Sequence, residues 1–283
     1  MSASSVLSWN RYGKSRIRLV KLRRGGAQHE IVDLTIDVQL EGAFEKVYIE
    51  GDNAACLATD TMKNTVYAIA RRDPLQHVES FALRLAEHFA AQPAVSRARI
   101  SLVEERWDRI ASPAGADPHA FIRGAGEQWT AEVVRDAAGA RVASGLTNLV
   151  VMKTAGSAFS GFPRDEFTTL PETEDRILAT SITAAWRHRP GTSNFGAREA
   201  VRGALVAAFA AHLSRSVQHT LYAMGEAALA ACPEALEITL SLPNRHHLLV
   251  DLSPFGLDNP NEVFVATDQP FGLIEATVRR TLG

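Results

Sequence analysis

Four short segments place polar residues where neither a sheet nor a helix requires them, and two of these segments lie near the start of the chain. Lys14 stands just ahead of a predicted strand, where a lysine is ordinarily solvated. Thr59 and Asp60 stand where a strand gives way to a helix, and both are suitable N-cap residues. Because the amides of a first helical turn also form a site for an anion, this segment suits either a structural or a binding role.

The third segment is an irregular stretch in which Phe159 and Phe162 stand among glycines and serines. Loops bury little apolar surface, so these rings either plug the core or form a platform on which a planar molecule stacks. Arg176 follows and shares the parity of the apolar residues in a predicted strand. An unpaired guanidinium on that face would be costly, which leaves an internal salt bridge or a bidentate clamp on a planar anion.

The fourth segment surrounds Asn244, in a predicted turn between two strands, where asparagine is usually structural. His246 shares the parity of the apolar residues that follow. His247 is therefore expected to face water, because neighbouring strand residues point to opposite faces. Gln218 lies just after a predicted helix break at residues 214–216, and a solvated helix face is its ordinary setting.

The elements that must position these residues begin with a β-hairpin. Its first strand covers residues 16–22, and its turn covers residues 24–27. Apolar residues then alternate from Leu34 to Leu40 with the period of a half-solvated antiparallel strand. Two helices follow, over residues 61–70 and 78–91. Strands are then predicted over residues 97–107, 120–134 and 141–153.

The second half repeats this order in outline. A strand is predicted over residues 176–186 and a long helical region over residues 197–231. Apolar and polar residues alternate again from residue 236 to residue 242, which is typical of a strand. After a predicted turn at Pro243-Asn244, the alternation resumes over residues 248–252.

Paired hairpins flanking a helix pair, twice over, predict an α+β fold with two tandem antiparallel ββααββ-type halves. We place these halves at residues 1–138 and 139–283, in one sheet with helices on one face. Gly124-Ala125-Gly126 lacks a third glycine and a following helix, so no dinucleotide fingerprint is indicated. A sheet of this size exposes its edges, and closing a barrel between subunits would remove them, so oligomerisation is expected.

Composition indicates a soluble, intracellular, globular protein. Hydrophobic residues make up 46% of the 283 and charged residues 22%, and the net charge of −2 excludes the basic footprint of a nucleic-acid binder. The longest apolar run, Ala204–Ala211, is far shorter than the roughly 20 residues that span a bilayer, and no secretory signal pattern opens the chain. Cys56 and Cys232 stand alone, which excludes a disulfide scaffold and gives no metal-ligand spacing.

In their order along the chain, these segments resemble the urate oxidase (uricase) family. The resemblance extends from about Arg11 to Ile274, and an ordered set of motifs is more specific than any single one. It implies the T-fold, in which tandem ββααββ-type halves assemble into a tetrameric tunnel. The motifs are Tyr12–Lys14, Ala58–Tyr67, Gly161–Leu170, Asp175–Leu178, Ser216–Gln218 and Ser241–His246.

The resemblance implies oxidation of urate by O2 and water to 5-hydroxyisourate and hydrogen peroxide in purine degradation, with no metal or organic cofactor. Lys14, Thr59 and His246 match the family's catalytic proton relay. The matching substrate-binding residues are Thr59, Asp60, Phe159, Arg176, Val217, Gln218 and Asn244.

The family also implies an assembly. Its lysine and threonine come from one subunit and its arginine and glutamine from the neighbour, so we expect a homotetramer with sites at subunit interfaces. No nucleic-acid or membrane partner is expected. The ending Arg279–Gly283 lacks the Ser-Lys-Leu signal of peroxisomal members, which favours a bacterial-type cytoplasmic enzyme. Ser160 and the short segment 187–195 depart from the family pattern, and these departures affect the expected shape of the substrate pocket.

Two alternatives remain beside this interpretation. Another T-fold purine or pterin enzyme, such as a cyclohydrolase or an aldolase, is the first, although a cyclohydrolase requires a Cys/His zinc cluster that this sequence does not suggest. A non-catalytic purine-binding relative is the second. It would keep Arg176, Gln218 and Phe159 but lose Lys14 or Thr59, and this chain has both.

Overall fold

The computed structural model describes residues 5–113 and 115–281. The chain divides into two compact units, each of which contains strands and a helix pair. Unit 1 is Met1–Gly145 with Arg187–Gly196, and unit 2 is Leu146–Trp186 with Ala197–Gly283.

The first half of the chain follows the predicted ββααββ order, with a short helix added before the predicted helix pair. A single 3-10 turn covers Asn53–Ala55. The elements are β1 (Tyr12–Arg23), β2 (Glu30–Gly42), α1 (Glu45–Ile49), α2 (Thr59–Arg72), α3 (Val78–Ala90), β3 (Val95–Ser112) and β4 (Gly115–Asp136).

The rest of the chain repeats the order and adds a final strand, so the predicted α+β class is confirmed. The placing of the repeat boundary between residues 138 and 139 stays a prediction. A 3-10 turn at Ser253–Phe255 follows the long strand β7. The elements are β5 (Gly139–Lys153), β6 (Leu178–His188), α4 (Arg198–Ala211), α5 (Val217–Ala231), β7 (Ala235–Leu249), β8 (Phe264–Thr267) and β9 (Leu273–Arg279).

The strands form the predicted antiparallel sheet. Hydrogen bonds join them in chain order from β1 to β8, and β9 pairs with β7. In unit 1, Ile36 on β2 lies opposite Ile17 on β1 and Leu102 on β3. All three side chains are buried, so the register places one apolar face of the sheet against the helices.

The core of unit 1 packs α2 and α3 against that face. The predicted alternation on β2 is confirmed, because Leu34, Ile36, Val38 and Leu40 are fully buried. Burying each such side chain stabilises the unit by about 1.5–3 kcal/mol, which holds the helices firmly on the sheet. The helices contribute the buried residues Met62, Val66, Ala70, Phe81, Leu85 and Phe89.

In unit 2 the predicted helix break is confirmed, because α4 ends before it and α5 begins after it. Leu213 falls in the break and is 67% exposed, which interrupts the predicted four-residue spacing. The rest of the pattern holds. The buried residues are Val201, Leu205, Phe209, Val217, Leu221, Ile238, Leu240 and Leu242.

The predicted turn at Pro243-Asn244 is wrong, because β7 continues through it to Leu249. At this point β7 changes partner, pairing with β9 as far as Pro243 and with β8 from His246. A proline has no N–H to donate, and it fits a strand where the ladder changes partner. Its carbonyl accepts a hydrogen bond from Thr180 Oγ1 at 2.8 Å. Beyond this, Leu248 is 53% exposed, so the predicted apolar alternation over residues 248–252 is also wrong.

Candidate active site

Lys14 lies on β1, level with the first turn of α2. At the far end of the helix, Lys21 Nζ donates to the Asp73 carbonyl. From Lys14 to Lys21 the strand advances about 23 Å, and from Asp60 to Asp73 the helix advances about 20 Å, so the two run side by side. In agreement, the pKa of Asp60 is lowered, chiefly by Lys63 and to a smaller extent by the Lys14 charge. Lys14 is half-buried and makes no hydrogen bond or ion pair with the residues that the structure describes.

The first turn of α2 has no side-chain cap. The prediction that Thr59 or Asp60 caps this helix is wrong, because α2 begins at Thr59 and Ala58 takes the N-cap position. The Asp60 carboxylate instead accepts hydrogen bonds from Lys63 Nζ at 2.5 Å and Asn64 Nδ2 at 2.9 Å. Alanine offers no acceptor, so the first-turn N–H groups stay available to an anionic ligand.

Gly13, which has no side chain to do chemistry, determines how Lys14 is held. A Cβ atom at Gly13 would stand 1.9 Å from the Val38 carbonyl oxygen, so only glycine lets β1 and β2 approach this closely. Immediately after Lys14 the register shifts. Arg16 there has φ of 56°, and its N–H donates to Asp37 Oδ1 at 2.5 Å. A bulge re-aims the side chains beside it, so this glycine and bulge together position Lys14. A glycine inside a predicted strand was the available signal.

In unit 2, the loop between β5 and β6 carries Phe159. The backbones of Phe159 and Thr173 exchange two hydrogen bonds, of 2.8 and 3.1 Å, and Asp175 Oδ1 accepts from the Gly156 N–H at 2.7 Å. Phe162 stacks on Phe159 with ring centroids 4.9 Å apart and planes 13° apart. Both rings are only half-buried, so they form an aromatic surface and do not plug the core. Asp175, another residue given no role from the sequence, therefore positions this surface.

The same loop is bonded to the turn between α4 and α5. The Ala158 N–H donates to the Ser214 carbonyl at 2.7 Å, and the Ser214 N–H donates to the Gly156 carbonyl at 3.0 Å. These bonds fix the aromatic surface relative to the start of α5.

The start of α5 carries Val217 and Gln218. Ser216 is its N-cap, with Oγ accepting from the His219 N–H at 3.1 Å. Val217 is buried against the core, and Gln218 is exposed beside it. The cap and the buried valine thus hold the glutamine on a rigid helix end.

Arg176 precedes β6, which begins at Leu178, so the prediction that it opens the strand is wrong. A local bond from Thr173 Oγ1 to the Asp175 carbonyl keeps the preceding residues in the loop. The guanidinium carbon of Arg176 lies 5.2 Å from the centroid of the Phe159 ring.

The charge of Arg176 is poorly compensated. Its Nε is buried without a hydrogen-bond partner, and no carboxylate in the described part of the chain pairs with it, so the internal salt bridge does not form there. Burial lowers the pKa of this guanidinium. A desolvated, unpaired cation is unfavourable, and a bound planar anion would relieve that cost with charge-assisted hydrogen bonds.

Asn244 and His246 lie on β7, and both are half-buried. The Asn244 N–H donates to the Gly272 carbonyl at 2.8 Å, and His246 pairs with Thr267 of β8. Two residues apart on one strand, they point to the same face. His247, which was expected to face water, is half-buried.

The site residues thus fall into two groups. Unit 1 holds the lysine and the start of α2, and unit 2 holds the aromatic surface, the arginine, the start of α5 and the middle of β7. Among the described residues no three histidine, cysteine, aspartate or glutamate side chains are arranged to hold a metal ion. No helix in the same part of the chain is long and apolar enough to cross a membrane.

Comparison with known proteins identifies the family. A family model described as Uricase matches residues 10–134 and 142–275. The chain is 49% identical over 277 residues to a uricase of Arthrobacter globiformis, covering 97% of this chain and 90% of that protein. A uricase of Dictyostelium discoideum is 36% identical over 278 residues, covering 96% of each.

The fold agrees with these matches. The crystal structure of uricase from Arthrobacter globiformis has a TM-score of 0.93 and 48% identity to this chain, covering 98% of it and 96% of the solved chain. The predicted T-fold is thereby confirmed. The chain therefore belongs to the uricase family.

Proposed function

We propose that this protein is a urate oxidase that converts urate, O2 and water to 5-hydroxyisourate and hydrogen peroxide without a metal or organic cofactor. Membership of the uricase family supports the activity. The observation that carries the proposal is the half-buried guanidinium of Arg176, which has no counter-ion among the described residues and lies over the Phe159 ring. A planar, anionic, aromatic substrate satisfies both features at once.

The binding residues recognise the shape of the purine and the positions of its hydrogen-bonding groups. The planar fork of Arg176 pairs with one edge of the anion, and the Gln218 amide donates and accepts on another. Main-chain groups of Val217 and Asp60 complete the binding site, while Phe159 stacks on the purine ring. A purine with one edge altered leaves buried groups unpaired, so it is rejected.

The proton relay makes urate electron-rich enough to reduce O2. Lys14 takes a proton from urate through the Thr59 hydroxyl, because threonine alone is a poor base. His246 continues the relay. Two electrons pass from urate to O2, which takes up two protons to become hydrogen peroxide. Water supplies the hydroxyl group of the product, and Asn244 positions O2 and then water over the ring.

The assembly completes the site. In the proposed homotetramer, Lys14 and Thr59 of one subunit act on urate held by Arg176 and Gln218 of its neighbour. An isolated monomer is then inactive even when it is folded. We also propose a cytoplasmic location, as expected for a bacterial-type enzyme.

The test is the loss of the near-ultraviolet absorbance of urate in air-saturated buffer with a chelator present and peroxide assayed in parallel. We expect urate loss with one peroxide per urate, unaffected by the chelator. A folded protein that binds urate tightly without turnover would contradict the oxidase and indicate a purine-binding relative.

A further inference from the structure

Two histidines that the proposed mechanism does not use face each other across the turn between α4 and α5. His212 is the C-cap residue of α4, and His219 is the third residue of α5. Their ring centroids are 4.2 Å apart, and Nε2 of His212 lies 3.1 Å from Nδ1 of His219. One ring N–H donates to the other ring nitrogen, so two imidazole nitrogens face each other at hydrogen-bond distance.

That separation suits chelation of a metal ion. Imidazole nitrogens bind Zn²⁺ at about 2.0–2.1 Å, so two of them on one ion stand roughly 2.9 Å apart at a right angle and roughly 3.4 Å apart at a tetrahedral angle. The observed 3.1 Å lies between these limits. An ion bound to both nitrogens lies off the line that joins them, so each ring turns by up to roughly 40° to aim its lone pair at the ion.

The surroundings keep the pair available. Burial, and then the charges of His219 and Lys153, lower the pKa of His212. Lys153 Nζ itself is occupied, donating to the His212 carbonyl at 2.5 Å. The pair opens into a surface pocket of about 610 Å³ whose lining includes Leu213 and Arg215, which leaves room for water ligands.

We propose that His212 and His219 form a two-histidine chelate for a divalent transition-metal ion of the Zn²⁺, Ni²⁺ or Cu²⁺ class, with water completing the coordination. Imidazole suits these ions, and the order of affinity places Cu²⁺ first. On binding, the ring that donates the shared proton moves that proton to its other nitrogen, so the exchange itself releases no net proton. The ion joins the end of α4 to the start of α5 and takes no part in the oxidation.

Binding of Zn²⁺ to the native full-length protein, stripped of metal and followed by calorimetry, tests this proposal. We expect one saturable equivalent per chain and a rise in the unfolding temperature when Zn²⁺ is present. His219→Gln should weaken binding at least tenfold, and since His219 is exposed this change leaves folding intact. His212→Gln should weaken it similarly. Cu²⁺ added to the native protein should show an electron paramagnetic resonance signal with two coordinated nitrogens.

Two matched controls locate the site. His88 is an exposed single histidine on α3, so His88→Gln should leave Zn²⁺ affinity unchanged. His29 and His119 form another close ring pair, with centroids 4.3 Å apart, so His119→Gln tests a competing site. Zn²⁺ binding that survives His219→Gln, that is lost with His119→Gln, or that never saturates would overturn the proposal.

Discussion

The first helices of the two helix pairs end in the same way, whereas the helix N-termini that carry candidate site residues differ. α2 and α4 each have 14 residues. A strand lysine bonds the C-terminal carbonyls of each. Lys21 reaches Ala70 and Asp73, and Lys153 reaches Phe209 and His212, with the same spacing of three residues. Such equivalent positions support the predicted repeat.

The site residues break this equivalence. In unit 1 the N-terminus of α2 has no side-chain cap hydrogen bond. In unit 2 the N-terminus of α5 is capped by Ser216, which accepts from the His219 N–H. The proposed site uses main-chain groups at both helix ends, but only the capped end also supplies a binding side chain, Gln218. The two units thus share their helix packing but carry different proposed site residues.

The largest effect should come from the proton chemistry assigned to unit 1. Lys14→Met should lower kcat by about 10²–10⁴-fold, the usual contribution of a general base, with little change in KM. Urate loss in the near ultraviolet measures this, and Lys46→Met, an exposed lysine on α1, is the control. A variant with nearly native kcat would contradict the role of Lys14, and so of unit 1, in proton transfer.

The arginine of unit 2 is assigned to binding, whereas His246 of the same unit belongs to the proton relay, so Arg176→Gln should mainly raise KM. Loss of charge-assisted hydrogen bonds worth about 1.5–3 kcal/mol corresponds to roughly 10–150-fold. Arg164 is the matched control, because it is exposed on the same loop with its guanidinium 5.8 Å from the Phe162 ring. An equal fall in kcat with unchanged KM would reverse the assignment of the two units.

Gly13→Ala should destabilise unit 1, because the added Cβ would meet the Val38 carbonyl oxygen at 1.9 Å. Overpacking of this kind costs about 1–3 kcal/mol, measured as a lower urea midpoint. Gly25→Ala has open space around it and should be nearly neutral. Equal midpoints for the two variants would show that the close approach of β1 and β2 is not needed.

The smallest effects concern the two helix ends directly. Ser216→Ala should destabilise α5 by about 1 kcal/mol, as loss of an N-cap usually does. Ala58→Asp should instead stabilise α2 by a similar amount while weakening urate binding, because a new carboxylate competes for the first-turn amides. Thermal unfolding and KM measure both. Tighter urate binding by Ala58→Asp would contradict the proposed role of the open helix end.

Periodicity made most of the fold predictable. The alternation from Leu34 to Leu40 and the helical spacing around Phe81 gave the correct faces, because burial depends on local pattern. The turn at Pro243-Asn244 could not be excluded from sequence, because β7 passes through it by exchanging one partner strand for another. That exchange is a tertiary feature.

The site was predictable as a set of residues, and less so as a geometry. The ordered motifs named Lys14 and Arg176, but the cap assigned to Thr59 failed because the helix starts earlier than its apolar pattern. The role of Gly13 depends on a strand 25 residues away, and that of Asp175 on amides 18 and 19 residues away. Neither of these long-range contacts can be predicted from the neighbouring residues in the sequence.

The most direct test of the division between the units is complementation between two defective variants, Lys14→Met with a low kcat and Arg176→Gln with a high KM. The two chains are co-expressed with different tags, and mixed assemblies carrying both tags are purified and assayed for urate loss at urate concentrations well below the KM of the Arg176→Gln variant. If each site takes its lysine from one subunit and its arginine from the neighbour, random assembly restores about a quarter of native activity. Mixed assemblies with no more activity than either parent would contradict the account.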